Sequence, residues 1–507
     1  MIFGFFPRRP DHPLAHNKEL KRIIGEIRRA PAVQAVEEVS SWLDSLKFAD
    51  KFPVDRLFEI IGQLDDAAQT HIRRLKRDYL TATENSKIEE ERQWSRCYTY
   101  FRTATEIYES CLQRAHADPK SKVSEAFKDG LPLLGARLQA LRTNQLRWRA
   151  YRYASVDDQL WLALGRTFLA AESAGYAQKS FPLYTSQRSL TSVQHQYLHA
   201  LIFHVSGMDG LTLQQIEMAD QLIAYFMSGF VFSAENPSGG GFWVVPTTGV
   251  GPTRLVQHRL SPIAGIRYFW AAAAFKGIVQ LIDTLEHGEM PSDFDFGEQT
   301  SSSQLLPVLR HLRMCWAPKP PQRRHVRHEV TAQMAVINNF FEIHKIFVHA
   351  LREIKHIPGV SNWSADNVSL GGFRACCDDK RSAILKLGSL VCTQAEGSQS
   401  QLLGTIRRIS RRHDGRADLG VQVLARQVRG IHLQTRRSGI SAANRIPGLW
   451  LPEDGGVGLK RIILPLGGFS VRETMEFHFS GETHQLTPLE IEERGADYEI
   501  ARFRDSS

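Results

Sequence analysis

The sequence predicts a multidomain α + β protein. An N-terminal all-α region, a helical bundle or a solenoid-like array, precedes an antiparallel β-barrel with a β-rich C-terminal extension. Three observations predict this. From residue 17 to about 230, apolar residues recur at three- and four-residue steps, the period of an amphipathic helix. Near residue 318 the run "APKPPQ" stops helical structure, because proline lacks the N–H and restrains the residue before it. Beyond that point the apolar residues mostly alternate with polar ones, the period of a half-buried strand.

The helical part begins with "NKELKRIIGEIRRA". "PVDRLFEIIGQLDDAAQTHIRRLKRDYLTATE" and "EERQWSRCYTYFRTATEIYESCLQRA" follow, with breaks at Asp50–Pro53 and at "HADPKSK". "SVDDQLWLALGRTFLAAESAG", "SVQHQYLHALIFHVSG" and "LTLQQIEMADQLIAYFMSGFVF" continue the pattern. Paired helices with short breaks fit a bundle, and no fixed repeat length emerges. A Gly/Pro-rich stretch near 233–255 reads as a loop with a short hairpin at "FWVV" and "TRLVQ". Gly239, Gly240 and Gly241 there are not followed by GKS or GKT, so they do not form a phosphate loop. Helices resume at "GIRYFWAAAAFKGIVQLIDTLEHG" and "SQLLPVLRHLRMCW". The strand candidates are "HEVTAQMAVINNFF", "ILKLGSLVCTQ", "QLLGTIRRIS", "DLGVQVLARQVRGIHLQTRR", "GLKRIILPLGG" and "MEFHF". Short strands at regular spacing indicate a barrel, and the strands after Ser438 either extend that barrel or form a small second β unit. The domain boundaries expected are 1–317, 318–428 and 429–507.

With 507 residues, 42% hydrophobic and 23% charged, the chain has the composition of ordinary soluble globular protein. Its six cysteines include no CxxC, which argues against a disulfide framework and against structural zinc. "MIFGFFPRRPDHPL" is too briefly apolar for a signal peptide. The window Ile266 to Ile282 carries Arg267 and Lys276 and falls short of the roughly 20 residues of a membrane span. A cytoplasmic location is expected, with no transmembrane segment. Charge is concentrated: from Lys319 to Arg429 there are 18 Lys and Arg against 9 Asp and Glu, the whole of the formal +9. A local basic surface points to an anionic ligand or partner.

Two phrases in that window carry chemistry. In "RRHVR", Arg323 and Arg327 stand four residues apart, with Arg324 between. Guanidinium forks match phosphate oxygens and the O6/N7 edge of guanine. In "DNVSLGGF", Asn367 and Ser369 are two apart and share one side of an extended strand. Gly371 and Gly372 follow and permit a turn and close backbone approach.

Together, in this order at the start of a β-rich domain, the phrases resemble the signature of the PilZ family, RxxxR followed by [D/N]xSxxG. The likeness covers roughly residues 320 to 428, with "ILKLGSLVCTQ" and "LLGTIRRIS" similar to middle strands and "DLGVQVLA" to the closing strand. It implies a six-stranded barrel that binds cyclic di-GMP. Arg323 and Arg327 would clamp phosphate and guanine, Asn367 and Ser369 would meet a guanine and its neighbouring phosphate, Gly371 and Gly372 would shape the turn, and Arg324 would add a contact. The gap of 39 residues between Arg327 and Asn367 is longer than the family usually shows. It accommodates an insertion, "IHKIFVHALREIKHIPGVSNWS", with a helix. Gln322 stands where an arginine would favour a stacked ligand pair.

No HExxH, GxSxG or Walker phrase occurs, so the chain reads as a receptor and not an enzyme, without cofactor or metal. The functional expectation is a cyclic di-GMP receptor that couples its barrel to a protein partner through the helical region, in motility, attachment or biofilm control. Two alternatives are a nucleic-acid-binding protein that uses the basic window and a ligand-free PilZ-like scaffold. The basic window lacks interleaved aromatics and a helix-turn-helix phrase, which disfavours nucleic acid.

Overall fold

Short polar side chains and prolines set several of the helix starts. Pro31 and Pro53 stand immediately before α2 (Ala32–Leu46) and α3 (Val54–Thr81), where a missing N–H costs nothing. Asp157 accepts from Leu160 N at 2.8 Å at the start of α6 (Asp158–Ser173). Ser192 does the same for His195 N at 3.1 Å in α7 (Val193–Val205), and Ser301 forms a capping box with Gln304 at α10 (Ser302–Trp316). The remaining helices of this part are α1 (Asn17–Arg29), α4 (Lys87–Ala117), α5 (Leu131–Ala150), α8 (Leu213–Phe226) and α9 (Ala272–Glu286). The structure is a computed structural model that describes residues 11–48, 52–82, 87–117, 127–237, 239–255, 264–290, 301–319, 322, 325–378, 385–435, 445–452 and 458–506.

The chain divides into two compact units. Residues 1–152, 156–208 and 213–321 form the first, and residues 153–155, 209–212 and 322–507 the second. The first is helical, with a fully buried carboxylate at its centre. Asp65 accepts from the hydroxyls of Tyr100 and Tyr108, and Arg137 pairs with Asp66 at 2.7 Å. A buried carboxylate persists only when it is hydrogen-bonded in this way. A hairpin of β1 (Phe181–Pro182) and β2 (Leu190–Thr191) and a four-stranded sheet interrupt the helices. The sheet has the order β3 (Val231–Ser233), β6 (Arg267–Trp270), β4 (Phe242–Val244), β5 (Thr253–Arg254). The hairpin expected at "FWVV" and "TRLVQ" is the β4–β5 pair. "GIRYFW", read from sequence as the start of a helix, is instead the inner strand β6. Its aromatic residues pair on both sides, and Phe269 stacks on Phe242 at 5.2 Å with no exposure. β-sheet burial of an aromatic run overrides the helical spacing of the alanines behind it.

The second unit contains two closed antiparallel barrels. The first has β7 (His328–Asn338), β8 (Ser361–Ser369), β9 (Gly372–Asp378), β10 (Leu390–Ala395), β11 (Gln401–Arg411) and β12 (Arg416–Ala425), in the order β10-β11-β12-β9-β8-β7. The tail, read from sequence as a β-rich extension, closes into a barrel of its own. Its strands are β13 (Arg429–Thr435), β14 (Arg445–Leu451), β15 (Leu459–Pro465), β16 (Met475–Phe479), β17 (Glu482–Arg494) and β18 (Tyr498–Asp505), in the order β13-β14-β15-β18-β17-β16. The two barrels have the same connectivity: counted from each barrel's first strand, the order is 1-2-3-6-5-4, with strand four closing on strand one. "DLGVQVLARQVRGIHLQTRR" is therefore not one strand but two, β12 and β13, each in a different barrel.

The expected inserted helix is α11 (Phe340–Val348). It lies in the core that the two barrels share, where Phe340, Ile343 and Ile346 join Leu390 and Leu403 of the first barrel and Leu449, Ile463 and Tyr498 of the second. A side chain at Gly430 would collide with the backbone of Val348, so glycine there lets α11 reach β13. His344 on α11 is buried and its Nε2 bonds Ile431 O at 2.8 Å, with the His432 ring 4.8 Å away. Burial pulls the His344 pKa below its ordinary value, so the neutral ring is the folded form. Unfolded, the ring takes a proton near about 6.5; folded, it does so only at lower pH. Stability from this group is complete above about pH 6.5 and falls as the pH drops below it. His344→Gln, which keeps a donor for Ile431 O, is expected to flatten the loss of melting temperature between about pH 7.5 and 5.5. An unchanged slope in the variant contradicts the assignment.

Candidate functional site

A β-bulge decides which way the signature strand faces. On β8, Ala365 lies opposite Ala375 of β9, yet Asn367 lies opposite Arg374, so Asp366 is an extra residue. One added residue reverses the inside–outside alternation beyond it. Val368 therefore meets Phe373 and packs on the barrel core, while Asn367 and Ser369 turn to the outer face with Arg374.

The β8–β9 turn is held from several directions. Ser369 Oγ donates to Gly372 O at 2.9 Å. Val423 N, just along β12, donates to Gly371 O at 3.1 Å. A side chain at Gly372 would drive into Val421 O, whereas one at Gly371 would meet only the His325 ring, at 3.2 Å from Cδ2. Gly372 is thus required by the close pairing of β9 with β12, whereas Gly371 only abuts the movable ring of His325. Leu370 stands 68% exposed at the tip of the turn.

The arginine segment arrives at the same place. β7 runs antiparallel to β8, with His328 opposite Val368 and Glu329 opposite Asn367. Arg327, immediately before, is exposed, and among the described residues no carboxylate pairs with it. Arg323 and Arg324 lie outside the described residues. Of the residues singled out from sequence, Arg327, Asn367, Ser369, Gly371 and Gly372 converge on one end of the first barrel.

The outer face has its own electrostatics. Asn367 Nδ2 donates to Asp366 Oδ1 at 2.9 Å, while its buried Oδ1 has no donor among the described residues. An orphaned buried acceptor is costly in a folded protein until a donor reaches it. Arg374 is neutralised by Asp366 at 3.3 Å and Asp418 at 3.0 Å, and Arg412 by Asp418 at 2.6 Å. Gln422, opposite Gly372, accepts from Arg407 at 2.7 Å, and Arg407 pairs in turn with Glu493 of the second barrel at 2.6 Å. Cys376 and Cys377 lie on β9 as thiols outside any disulfide, and burial pushes the Cys376 thiol up. Among the described residues no group of His, Cys, Asp and Glu is placed to hold a metal.

Sequence reasoning missed three residues at this site. His325 lies inside the arginine phrase but reads as filler. Asp366 is the bulge residue, and a bulge has no sequence signal here. Arg426 follows β12, and its Nη2 donates to Leu370 O at 3.1 Å. It comes to the turn only because the sixth strand pairs with the third.

Comparison with known families adds information on the other part of the chain. Residues 18–236 match a family model described as "Cyclic-di-GMP receptor FimW, N-terminal domain". The match lies in the helical part, which has no family resemblance in the sequence reading, and stops short of both barrels. No curated protein matches the chain. No helix among the described residues is long and apolar enough to cross a membrane.

The two glycines of the turn should differ in what they tolerate. Gly372→Ala is expected to cost about 2 kcal/mol, the scale of a forced backbone shift in a packed sheet, and to lower the melting temperature by about 4–8 °C. Gly371→Ala, which displaces only a surface ring, should melt near the wild type. Equal melting of the two variants in a thermal scan would contradict this account.

Proposed function

We propose that the chain is a cyclic di-GMP receptor that takes its ligand at the outer face of the β8–β9 turn. The observation that carries the reading is the convergence of Arg327 with Asn367 and Ser369 beside an orphaned acceptor. An uncompensated guanidinium suits a phosphate, bidentately and with charge assistance. The Asn367 Oδ1 acceptor suits the N–H donors of a guanine edge, because filling a buried unpaired acceptor removes its desolvation cost. In this reading Arg323 and Arg324 bring further cations from the chain before Arg327, and Ser369 holds the turn and faces the neighbouring phosphate. Gly371 and Gly372 let the backbone approach.

A separate part of the chain supports the same ligand. The family matched by residues 18–236 is described as a receptor for cyclic di-GMP, and the resemblance of the barrel to PilZ domains is independent of that match. The helical part then serves as the element that engages a protein partner, in a cytoplasmic signalling role tied to motility, attachment or biofilm control. Binding works by differential affinity for the arrangement in which the arginine segment lies against the turn. No catalytic step enters this reading, and no cofactor is needed. The nucleic-acid alternative has less support, since Arg374, Arg407 and Arg412 on the basic face are already held by carboxylates.

Titration calorimetry of the full chain tests the proposal. Cyclic di-GMP should bind at micromolar or tighter affinity while GTP does not, and Arg327→Ala should weaken binding by about 1.5–3 kcal/mol, the scale of a charge-assisted bond. Absence of heat with cyclic di-GMP, or an equal response to GTP, would overturn it.

A further inference from the structure

The strand order β12-β9-β8-β7 places the signature turn between two flanking chain ends. β7 begins beside it and β12 ends beside it, because both run antiparallel to the strands of the hairpin. Arg327 stands just before β7. Arg426 stands just after β12, in the three-residue connector that leads into β13 of the second barrel.

Arg426 is exposed. One of its nitrogens is spent on the carbonyl of Leu370, at the tip of the turn. A guanidinium carries five N–H donors in a fixed fork, and among the described residues Leu370 O is the one acceptor that Arg426 meets. Among the described residues no carboxylate pairs with it, in contrast to Arg374, Arg407 and Arg412 on the same barrel, each of which holds an acid. An unneutralised cation anchored by a neutral carbonyl is pre-positioned: the bond fixes the side chain without cancelling its charge, and less rotamer freedom remains to be lost on binding.

We infer that Arg426 is a further ligand-binding residue of this site, contributing a phosphate contact from the side of the turn opposite Arg327. The inference rests on the cyclic di-GMP reading and extends it, because Arg426 belongs to neither signature phrase and lies at the far end of the barrel sequence. A ligand with two phosphates is then gripped by arginines from both flanks of one hairpin. The connector to the second barrel becomes part of the binding site.

The test is calorimetry with cyclic di-GMP on the full chain carrying Arg426→Ala, Arg426→Gln or Arg426→Lys, with thermal melts of each. Expected are wild-type melting temperatures throughout, a loss of affinity of about tenfold or more for both the alanine and glutamine variants, and partial recovery in the lysine variant, which keeps the charge but not the fork. The glutamine variant separates the roles. Its amide can still donate to Leu370 O, so retained affinity in Arg426→Gln beside a loss in Arg426→Ala would show mere positioning of the turn and overturn the phosphate contact. Wild-type affinity in Arg426→Ala would also overturn it. Failure of the wild-type chain itself to bind would instead remove the underlying reading of the site.

Discussion

The single extra residue at Asp366 governs the first barrel's outer face. Without it, strict alternation from Trp363 and Ala365, both buried, would send Asn367 and Ser369 into the barrel. There an amide and a hydroxyl would have to be satisfied among Phe373, Ala375 and Val421, at the cost of buried polar groups in an apolar core. With the bulge, Val368 fills that position and the two polar residues face out. The bulge also leaves Asn367 with one amide group engaged and the other unfilled. The outward placement of the signature residues is set by register, through one kink in the strand that carries them.

The rest of the second unit fixes this geometry. Gly372 admits β12 to within backbone contact, β12 presents Val423 N to the turn, and its connector presents Arg426. The second barrel repeats the connectivity of the first without the arginine-and-serine pair of phrases, and the two share a continuous apolar core through α11. A shared core of this kind disfavours independent motion of the barrels. The Gln422–Arg407–Glu493 chain runs from the strand beside the turn to the second barrel, a contiguous route between the signature turn and β17.

Much of this was legible in the sequence, for reasons that differ by element. The long helices declare themselves by spacing, as in α3 and α4, where one apolar stripe repeats over many turns. Arg327, Asn367, Ser369, Gly371 and Gly372 are legible because their chemistry is confined to two short phrases. The inner strand at Arg267–Trp270 was hidden, since an aromatic run leading into alanines has no period of its own and takes its identity from β3 and β4 on either side. The second barrel was hidden because closure depends on pairing of distant strands, β13 with β16 and β15 with β18, and no local pattern states it. Arg426 was hidden for the same reason.

The central claim is that the ligand sits on the β8–β9 turn of the first barrel. Amide hydrogen exchange of the full chain with and without cyclic di-GMP tests it directly, because exchange reports local opening segment by segment. Protection should rise in the peptides that contain residues 325–330 and 366–373 and in the connector around Arg426, with the matching strands of the second barrel unchanged. Protection confined to the helical part or to the second barrel, with those peptides unaffected by saturating ligand, would contradict the account.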